Sequence, residues 1–407
     1  MKPSSVISTL ALLALCQPLC AEPAPVVTLS RVAPLVRTQN PDLAAARLTI
    51  DEAVGRLKQA GRLENPDLEI AGNQNTASTE RGLEVGISQK FPVTNRLRLE
   101  KDLGVTAVEA ARQEIREVEN RLIGRARAAM IRVLATRQRK ALLGQQSRVA
   151  SELADFISSA AERGEASRID AGQARLEAAR FTTETRQLAA TERRALGELK
   201  PLLGMQPGDP LHVSGSLPDL QIPTGADASK RPALEVARLA VVAAEQQAAI
   251  EQTKRYGDVT AGLFAAAERE IDEPNGAENE GIVGFRVSIP LPFWDKNEGH
   301  IEAAEARVTR RRKEVLALRQ NILLEAEATR AEMLEWAKLA AEINDALLPQ
   351  ADEQTDLAEK SWRDGQSDLL TVFRSREQRL ELAATRLDAL KNFHLARVRY
   401  ETALGQP

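Results

Sequence analysis

The pattern of apolar and polar positions changes its period twice, in the same order in each half of the chain. Residues 42–64 carry apolar side chains at helical spacing, and apolar and polar residues then alternate over residues 83–91. The second half alternates in the same way over residues 283–289. Strict alternation indicates a β-strand with one apolar and one polar face. We therefore predict two β-hairpins, over about residues 66–92 and 257–292.

Each hairpin is followed by a very long helical pattern. The pattern covers about residues 95–163 and 295–362, and we expect each stretch to form one uninterrupted helix. At 1.5 Å per residue, such a helix spans about 100 Å, far more than a globular domain. Narrow seams of small and apolar residues, the first near residues 122–133, indicate coiled-coil packing. The pattern resumes after a glycine-containing break, which predicts helical hairpins over about residues 95–204 and 295–404.

Short motifs recur in the second half at a nearly constant offset. Pro41-Asp42-Leu43 reappears as Pro232-Ala233-Leu234 at an offset of 191, and Leu203-Gly204 reappears as Leu404-Gly405 at an offset of 201. Self-similarity that keeps its register in this way is typical of an internal two-fold repeat. We predict a first repeat, an irregular linker rich in proline and glycine, and a second repeat, over residues 22–204, 205–231 and 232–407.

Residues 1–21 have the pattern of a secretory signal peptide. Lys2 precedes an apolar stretch over residues 6–16, and small residues follow, so we expect cleavage at the end of this segment. A lipoprotein signal is the alternative, because Cys16 and Cys20 lie here, although a leucine precedes each of them. Removal of the segment leaves a mature chain without cysteine, and therefore without disulfides or thiolate metal ligands.

Composition narrows the classes of protein that fit this pattern. Of the 407 residues, 28% are charged and only 3% are aromatic, which is typical of long helices and coiled coils rather than of a compact enzyme. A net charge of −3 excludes a nucleic-acid-binding protein held mainly by a basic surface. The mean hydropathy is −0.31, and no apolar run of about 18 residues follows the N-terminal segment, which excludes membrane-spanning helices.

The sequence contains no convincing catalytic or metal-binding motif. His212, His300 and His394 are widely separated and have no partner at metal-ligand spacing. We interpret His394 as a packing residue, because it continues an apolar helical stripe. No nucleophile elbow, phosphate loop or paired-carboxylate motif is present. We therefore expect no enzymatic activity, no cofactor and no dedicated metal site.

The predicted strands point to an oligomer. A sheet with an apolar outer and a polar inner face is typical of a membrane barrel, but four strands cannot close one, and an open sheet edge is not tolerated in lipid. Three copies supply about 12 strands around a water-filled lumen, whereas two leave little space. We therefore expect an α+β membrane protein whose β-barrel is completed by trimerisation and continued by a long coiled-coil helical barrel. A secreted coiled-coil rod with small β caps is the alternative.

The order of these motifs resembles that of the TolC-type outer-membrane efflux proteins over essentially the whole mature chain. The resemblance lies in Asn40-Pro41-Asp42-Leu43, in both strand pairs and in the Gly-x-x-Ser/Asp motifs at Gly164 and Gly365. Within the family, the chain is most similar to the CzcC-type branch, which serves heavy-metal efflux pumps. The segments similar to that branch are Gly61–Leu68, Gln89–Pro92 and Ser288–Gly299.

The resemblance implies a homotrimer in the outer membrane, with a 12-stranded barrel in lipid and a helical barrel that extends into the periplasm. It implies a passive exit duct of a tripartite efflux system, whose other members are a periplasmic adaptor protein and an inner-membrane pump of the RND type. We expect heavy-metal cations as the exported substrate, and no nucleic acid as a partner. Ducts for drugs or other organic compounds, or for type I secretion, are the alternatives.

The resemblance also assigns residues at the periplasmic end. It implies that the inter-helix turns contact the adaptor, with plain turns as the alternative. These turns are Arg163-Gly164-Glu165 and Asp364-Gly365-Gln366. The family's constriction maps to Asp170, Gln173, Thr371 and Arg374. A ring of arginines repels cations, so we expect Arg374 to pair with an acidic neighbour such as Asp170 or Asp368.

The polar strand face and the long loop of the second hairpin complete the candidate residues. Glu84, Lys90 and Arg286 fall on the polar side of the alternation, where they line the barrel lumen or are simply solvated. We interpret the loop as a solvated acidic segment, with attraction of divalent cations as the alternative. Its acidic residues are Glu268, Glu270, Asp272, Glu273, Glu278 and Glu280.

Overall fold

Long helices dominate the chain, which is described here by a computed structural model covering residues 26–76, 80–223, 225, 227–272 and 276–406. The predicted signal peptide, residues 1–21, lies outside the described residues. The helices are α1 (Leu29–Gln39), α2 (Pro41–Gln59), α3 (Arg96–Glu162), α4 (Arg168–Leu202), α5 (Pro232–Thr253), α6 (Glu298–Glu342), α7 (Leu348–Arg363) and α8 (Leu369–Ala403). The strands are β1 (Val26–Val27), β2 (Asp67–Gln74), β3 (Arg81–Phe91), β4 (His212–Val213), β5 (Val259–Asp272) and β6 (Gly276–Ser288).

Four of the strands form one antiparallel sheet in the order β2-β3-β5-β6. The central pair, β3 with β5, joins the two halves of the chain, with Phe91 opposite Val259 at one end and Arg81 opposite Arg269 at the other. β2 and β6 are the edges, and within the described residues neither outer edge is paired. β1 and β4 form a separate parallel pair beside the helices.

Asn40 begins α2 and ties it to the end of the first helical hairpin. Its Oδ1 accepts a hydrogen bond from the backbone N–H of Leu43 at 2.9 Å, and its Nδ2 donates to the carbonyl of Leu202 at 2.9 Å. Asn40 is only 3% exposed, so both bonds are shielded from water. Pro41 suits the first helical position, because an N–H there would have no partner within the helix. The motif therefore has a structural role.

The buried core lies where the helices meet the linker. One cluster joins α1, α3 and α4 and contains Val32, Val36, Ile123, Met130, Leu134 and Leu199. A second joins α5, α6 and α8 and contains Leu234, Ile322, Met333, Phe393 and Tyr400. The accessible surface is 26424 Å², against roughly 15,500 Å² for a compact monomer of this mass. The chain is therefore strongly elongated and leaves much of its surface uncovered.

The second long helix is interrupted, so the expectation of one continuous helix over residues 295–362 was wrong. α6 ends at Glu342, a π-helical turn follows at Ile343–Leu347, and α7 then begins. Pro349, which the prediction overlooked, lies in the first turn of α7. Proline lacks an N–H, and its ring clashes with the carbonyl four residues earlier, so the wider π turn accommodates it. α3 contains no proline and continues over 67 residues.

None of the described helices combines the length and the apolar character that a membrane-crossing helix requires. The helices are amphipathic or polar instead, and they pack through narrow seams. Toward the far end of the helical hairpins, the seam consists mostly of small residues. Its buried members are Ala154, Ile157, Ala171, Ala174 and Leu369.

Candidate functional site: sheet faces and helix tips

One face of the four-stranded sheet is apolar and exposed on every strand, and we call it the apolar face. The register places Ile87 opposite Leu68 on one side and opposite Leu263 on the other, and Leu263 lies opposite Phe285. A soluble monomer rarely exposes an apolar patch that crosses a whole sheet. The exposed members are Leu68, Ile70, Leu83, Val85, Ile87, Leu263, Val283, Phe285 and Val287.

Aromatic side chains gather at the end of the sheet where the strands meet the helices. Phe91, Tyr256 and Phe293 are all exposed, and Trp294 is 96% exposed. The rings of Phe293 and Trp294 contact each other edge to face, with their centroids 6.1 Å apart. Exposed aromatic residues at the border of an apolar band are typical of a membrane–water boundary.

The opposite side of the sheet, which we call the polar face, holds all three residues predicted to line a lumen. Arg286 Nη2 lies 2.9 Å from Glu84 Oε1, and Arg286 Nη1 lies 3.6 Å from Glu69 Oε2. Lys90 Nζ lies 3.5 Å from Glu64 Oε2. The prediction that these side chains share one face agrees with the register, whereas their role in a lumen remains a prediction.

Phe264 stands on the polar face, and the sequence reasoning missed it together with Glu69. The guanidinium of Arg286 lies 5.1 Å from the centroid of the Phe264 ring, which is a cation–π contact. The ring covers Gly284, where an added Cβ would lie 2.5 Å from Phe264 Cζ. Gly284 was the available signal, because a glycine inside a strand often marks a close approach.

The outer end of β5 and β6 carries carboxylates directly opposite one another on the polar face. Glu268 faces Glu280, and Glu270 faces Glu278. Like charges at directly opposed positions destabilise strand pairing, and all four side chains are exposed to solvent. Among the described residues, none of the four forms an ion pair. The prediction that these acidic residues lie in a long loop was wrong, because the two strands continue through them. The side chains of Asp272 and Glu273, which belonged to the same prediction, lie outside the described ones.

Both inter-helix turns have the same backbone construction. After α3, Gly164 adopts φ +78° and the N–H of Glu165 donates to the carbonyl of Ala160 at 2.9 Å. After α7, Gly365 adopts φ +71° and the N–H of Gln366 donates to the carbonyl of Ser361 at 2.8 Å. Glycine suits these positions because it has no Cβ to clash at positive φ. The six residues assigned to the turns are exposed, namely Arg163, Gly164, Glu165, Asp364, Gly365 and Gln366.

The serine or aspartate that ends each Gly-x-x-Ser/Asp motif caps the next helix. Ser167 Oγ accepts a hydrogen bond from the N–H of Ile169 at 3.1 Å. Asp368 Oδ1 accepts bonds from the N–H of Thr371 at 2.9 Å and from its hydroxyl at 2.5 Å. The hydroxyl bond of Thr371 is the main cause of the lowered pKa of Asp368. The motif is therefore a glycine stop followed by an N-cap.

The residues assigned to a constriction lie on the first turns of α4 and α8. Asp170 and Gln173 follow one turn, and Thr371 and Arg374 follow the other. The expectation that Arg374 pairs with Asp170 or Asp368 stays a prediction, since no direct ion pair of Arg374 is formed among the described residues of the single chain. Asp368 serves as the N-cap of α8, and the positive charge of Arg374 also contributes to the lowered pKa of its carboxyl.

An ion pair that the sequence did not reveal joins the two helical hairpins just beyond these residues. Arg180 Nη2 on α4 lies 2.8 Å from Glu377 Oε1 on α8, and Arg180 Nη1 lies 3.5 Å from Glu177 Oε2. Burial raises the pKa of the Glu177 carboxyl, and the nearby Glu377 and Glu184 raise it further, against the opposing effect of Arg180. Arg180 is therefore shared among several carboxylates.

No group of three or more histidine, cysteine or acidic side chains in the described ranges is arranged to hold a metal ion. His394 is only 3% exposed, and its Nε2 lies 2.8 Å from the carbonyl oxygen of Pro218. Burial is the main cause of the lowered pKa of its imidazole. His394 occupies a packing position, as its place in the apolar stripe predicted.

A sheet with an apolar outer face, joined to helices of this length, defines a membrane channel with a long helical extension. The model of the outer membrane efflux protein family matches residues 227–406, in the second half of the chain. This match, with the relatives described below, confirms the resemblance found in the sequence. Together, these similarities identify the protein as an outer-membrane channel that extends into the periplasm, and not as an enzyme.

Individual relatives agree with this assignment over nearly the whole chain. The cobalt-zinc-cadmium resistance protein CzcC of Cupriavidus metallidurans is 23% identical over 394 residues, which cover 93% of this chain and 87% of that protein. The structure of CusC superposes with a TM-score of 0.77 at 16% identity, covering 93% of this chain and 92% of the other. The outer-membrane channel OprN superposes with a TM-score of 0.76 at 16% identity, covering 93% and 90%. The two structures share the fold.

Proposed function

We propose that this chain is the exit duct of a tripartite efflux system and conducts heavy-metal cations passively out of the cell. The observation that carries the proposal is the sheet itself, which has an apolar face on one side, a polar face on the other and, among the residues described, two unpaired edges. Such a sheet fits a wall between lipid and water. The driving force then comes from an inner-membrane pump, reached through a periplasmic adaptor protein.

The two free edges support a homotrimer. The four strands alternate in direction, so β6 of one copy is antiparallel to β2 of the next, and head-to-tail pairing closes a ring. A ring leaves no unsatisfied backbone groups in lipid. Three copies supply about 12 strands, enough to enclose water.

Exposed stripes on the helices also support the trimer. Ile169 and Leu176 on α4 are 71% and 73% exposed, and they lie seven residues apart. Leu316 and Leu323 on α6 have the same spacing and are 67% and 42% exposed. A seven-residue apolar spacing is the pattern of a coiled-coil seam, and a head-to-tail ring brings two such different surfaces together.

The far end of the helical hairpins is proposed to meet the adaptor and to close the duct. The six turn residues support this role through their exposure and through the absence of contacts at Gly164 and Gly365, where an added Cβ meets nothing within 4 Å. Asp170, Gln173, Thr371 and Arg374 follow the turns and are proposed to form the constriction.

Two observations support metal cations as the substrate. The relative CzcC is named for resistance to cobalt, zinc and cadmium, and the polar face of the sheet carries more carboxylates than cations. The test is deletion of the gene followed by growth on zinc, cobalt, cadmium, copper and silver, with complementation by the full chain. Loss of metal tolerance is expected. Sensitivity to organic drugs alone would contradict the metal substrate, and loss of a secreted protein would favour type I secretion.

A further inference from the structure

Two arginines lie directly opposite each other on the apolar face of the sheet. Arg81 of β3 pairs in register with Arg269 of β5, and both side chains are exposed. The same row continues to Gln74 on β2 and Asn279 on β6. Because successive side chains alternate between faces, Arg81 shares its face with Leu83, two residues along the strand. The apolar face therefore ends in a polar row with two positive charges.

This pairing is unfavourable without an anion. Like charges at directly opposed positions of an antiparallel pair destabilise it, and among the described residues no carboxylate forms an ion pair with either arginine. Glu268 and Glu270 adjoin Arg269 along β5, but alternation places them on the polar face. Within the described residues, the two charges are therefore left without a paired anion.

The distance between the arginine pair and the aromatic group matches the height of the apolar band of a membrane barrel. Ten strand positions separate Arg81 from Phe91, which lies in the aromatic group at the other end of the apolar face. At about 3.3 Å per residue and a strand tilt of about 40°, this separation corresponds to about 25 Å. That is the height of the apolar band of outer-membrane barrels. The aromatic group and the arginine pair therefore lie one at each boundary.

We propose that Arg81 and Arg269 together bind a phosphate group of an anionic lipid in the outer leaflet. The proposal rests on the proposed function, because a barrel inserted with its hairpin ends outward brings this row to the lipid headgroups. Two guanidinium groups suit phosphate, since each presents a planar fork of N–H donors. The continuity of the row with the apolar face favours a lipid over free phosphate, because the acyl chains then lie along Leu83 and Val85.

The experiment uses the purified full chain in vesicles of phosphatidylethanolamine with either doubly phosphorylated lipid A or the same lipid with its phosphates removed. Native mass spectrometry after detergent extraction counts the lipid A molecules retained per chain. The wild-type chain is expected to retain the phosphorylated lipid. The double variant Arg81→Gln/Arg269→Gln is expected to retain it roughly tenfold less, which corresponds to about 1.4 kcal/mol. Lys90→Gln removes a positive charge from the polar face of the same sheet and is expected to retain as much as the wild type.

Equal retention by the double variant would overturn the site, and so would equal retention of the dephosphorylated lipid by the wild-type chain. The second comparison needs no variant, so it tests the proposal even if the double variant misfolds. Flotation with the vesicles distinguishes a failure of the proposed function from a failure of the lipid site alone. A chain that does not float contradicts the proposed function and the site with it, whereas a chain that floats without discriminating the lipids contradicts the site alone.

Discussion

Replacement of Arg286 by glutamine tests how the polar face controls the charge of the conducted ion. The guanidinium lies 2.9 Å from Glu84, 3.6 Å from Glu69 and 5.1 Å from the centroid of the Phe264 ring. The side chains of Arg286 and Glu84 are 58% and 32% exposed, so solvent screening limits each ion pair to roughly 0.2–1 kcal/mol. The cation–π contact contributes about 0.5–1 kcal/mol. Arg286→Gln should therefore lower the free energy of unfolding by about 1–3 kcal/mol and leave the sheet folded.

The electrostatic change is larger than the change in stability. Lys90 and Arg286 are the two basic residues on the described polar face of the four strands, against seven acidic residues, so the face carries a net charge of −5 per chain. Arg286→Gln makes this −6 and leaves Glu69 and Glu84 without their cation. Cations should then be favoured further over anions. The acidic residues are Asp67, Glu69, Glu84, Glu268, Glu270, Glu278 and Glu280.

The assay is the reversal potential of the reconstituted channel in a planar bilayer under a KCl gradient. The dilute side is held at about 10 mM, where the Debye length of about 30 Å exceeds the distance from the wall to the axis. Arg286→Gln should shift the reversal potential toward the value expected for a channel that conducts only cations. Lys90→Gln should shift it in the same direction. Gln74→Ala, on the apolar face, changes no charge and should leave the potential unchanged. An unshifted potential in Arg286→Gln, or a shift toward the anion value, would refute the reasoning.

Three further predictions concern stability and assembly. Because burial raises the pKa of Glu177, the stability that its protonated form contributes is present below pH 4.5 and is lost as the pH rises through the raised value. The unfolding midpoint of wild type should therefore fall relative to Glu177→Gln as the pH rises above about 4.5, and a constant difference would contradict this. Arg148→Pro in the continuous helix α3 should lower the free energy of unfolding by about 3 kcal/mol in chemical denaturation, whereas Pro349→Ala should leave it unchanged. Equal losses in the two variants would contradict the view that the π turn accommodates Pro349. Leu316→Glu with Leu323→Glu should reduce the trimer fraction in native mass spectrometry and preserve the helical circular dichroism, while an unchanged trimer would exclude this stripe from the interface.

Local patterns predicted much of the fold, because strand and helix periods are properties of neighbouring residues. The alternation over β3 identified both faces of the sheet, and the glycine stops identified both turns. Contacts between distant positions were not accessible in this way. The ion pair of Arg180 with Glu377 depends on how α4 packs against α8, and the place of Phe264 depends on the register of β5. Pro349 is a different case, because its effect is local and the sequence already contained it.

The central claim is that copies of this chain join edge to edge into a closed ring of three. Apart from Cys16 and Cys20 in the predicted signal peptide, the sequence contains no cysteine. Disulfide cross-links between copies therefore form only through the engineered cysteines. One cysteine replaces Ile70 on β2, and the other is placed in turn at Val283, Phe285 and Val287 on β6. Oxidation in isolated outer membranes should give, for at least one pair, a ladder of covalent dimers and trimers that ends at the trimer. Monomer alone for every pair, or a ladder that ends at the dimer, would contradict the account.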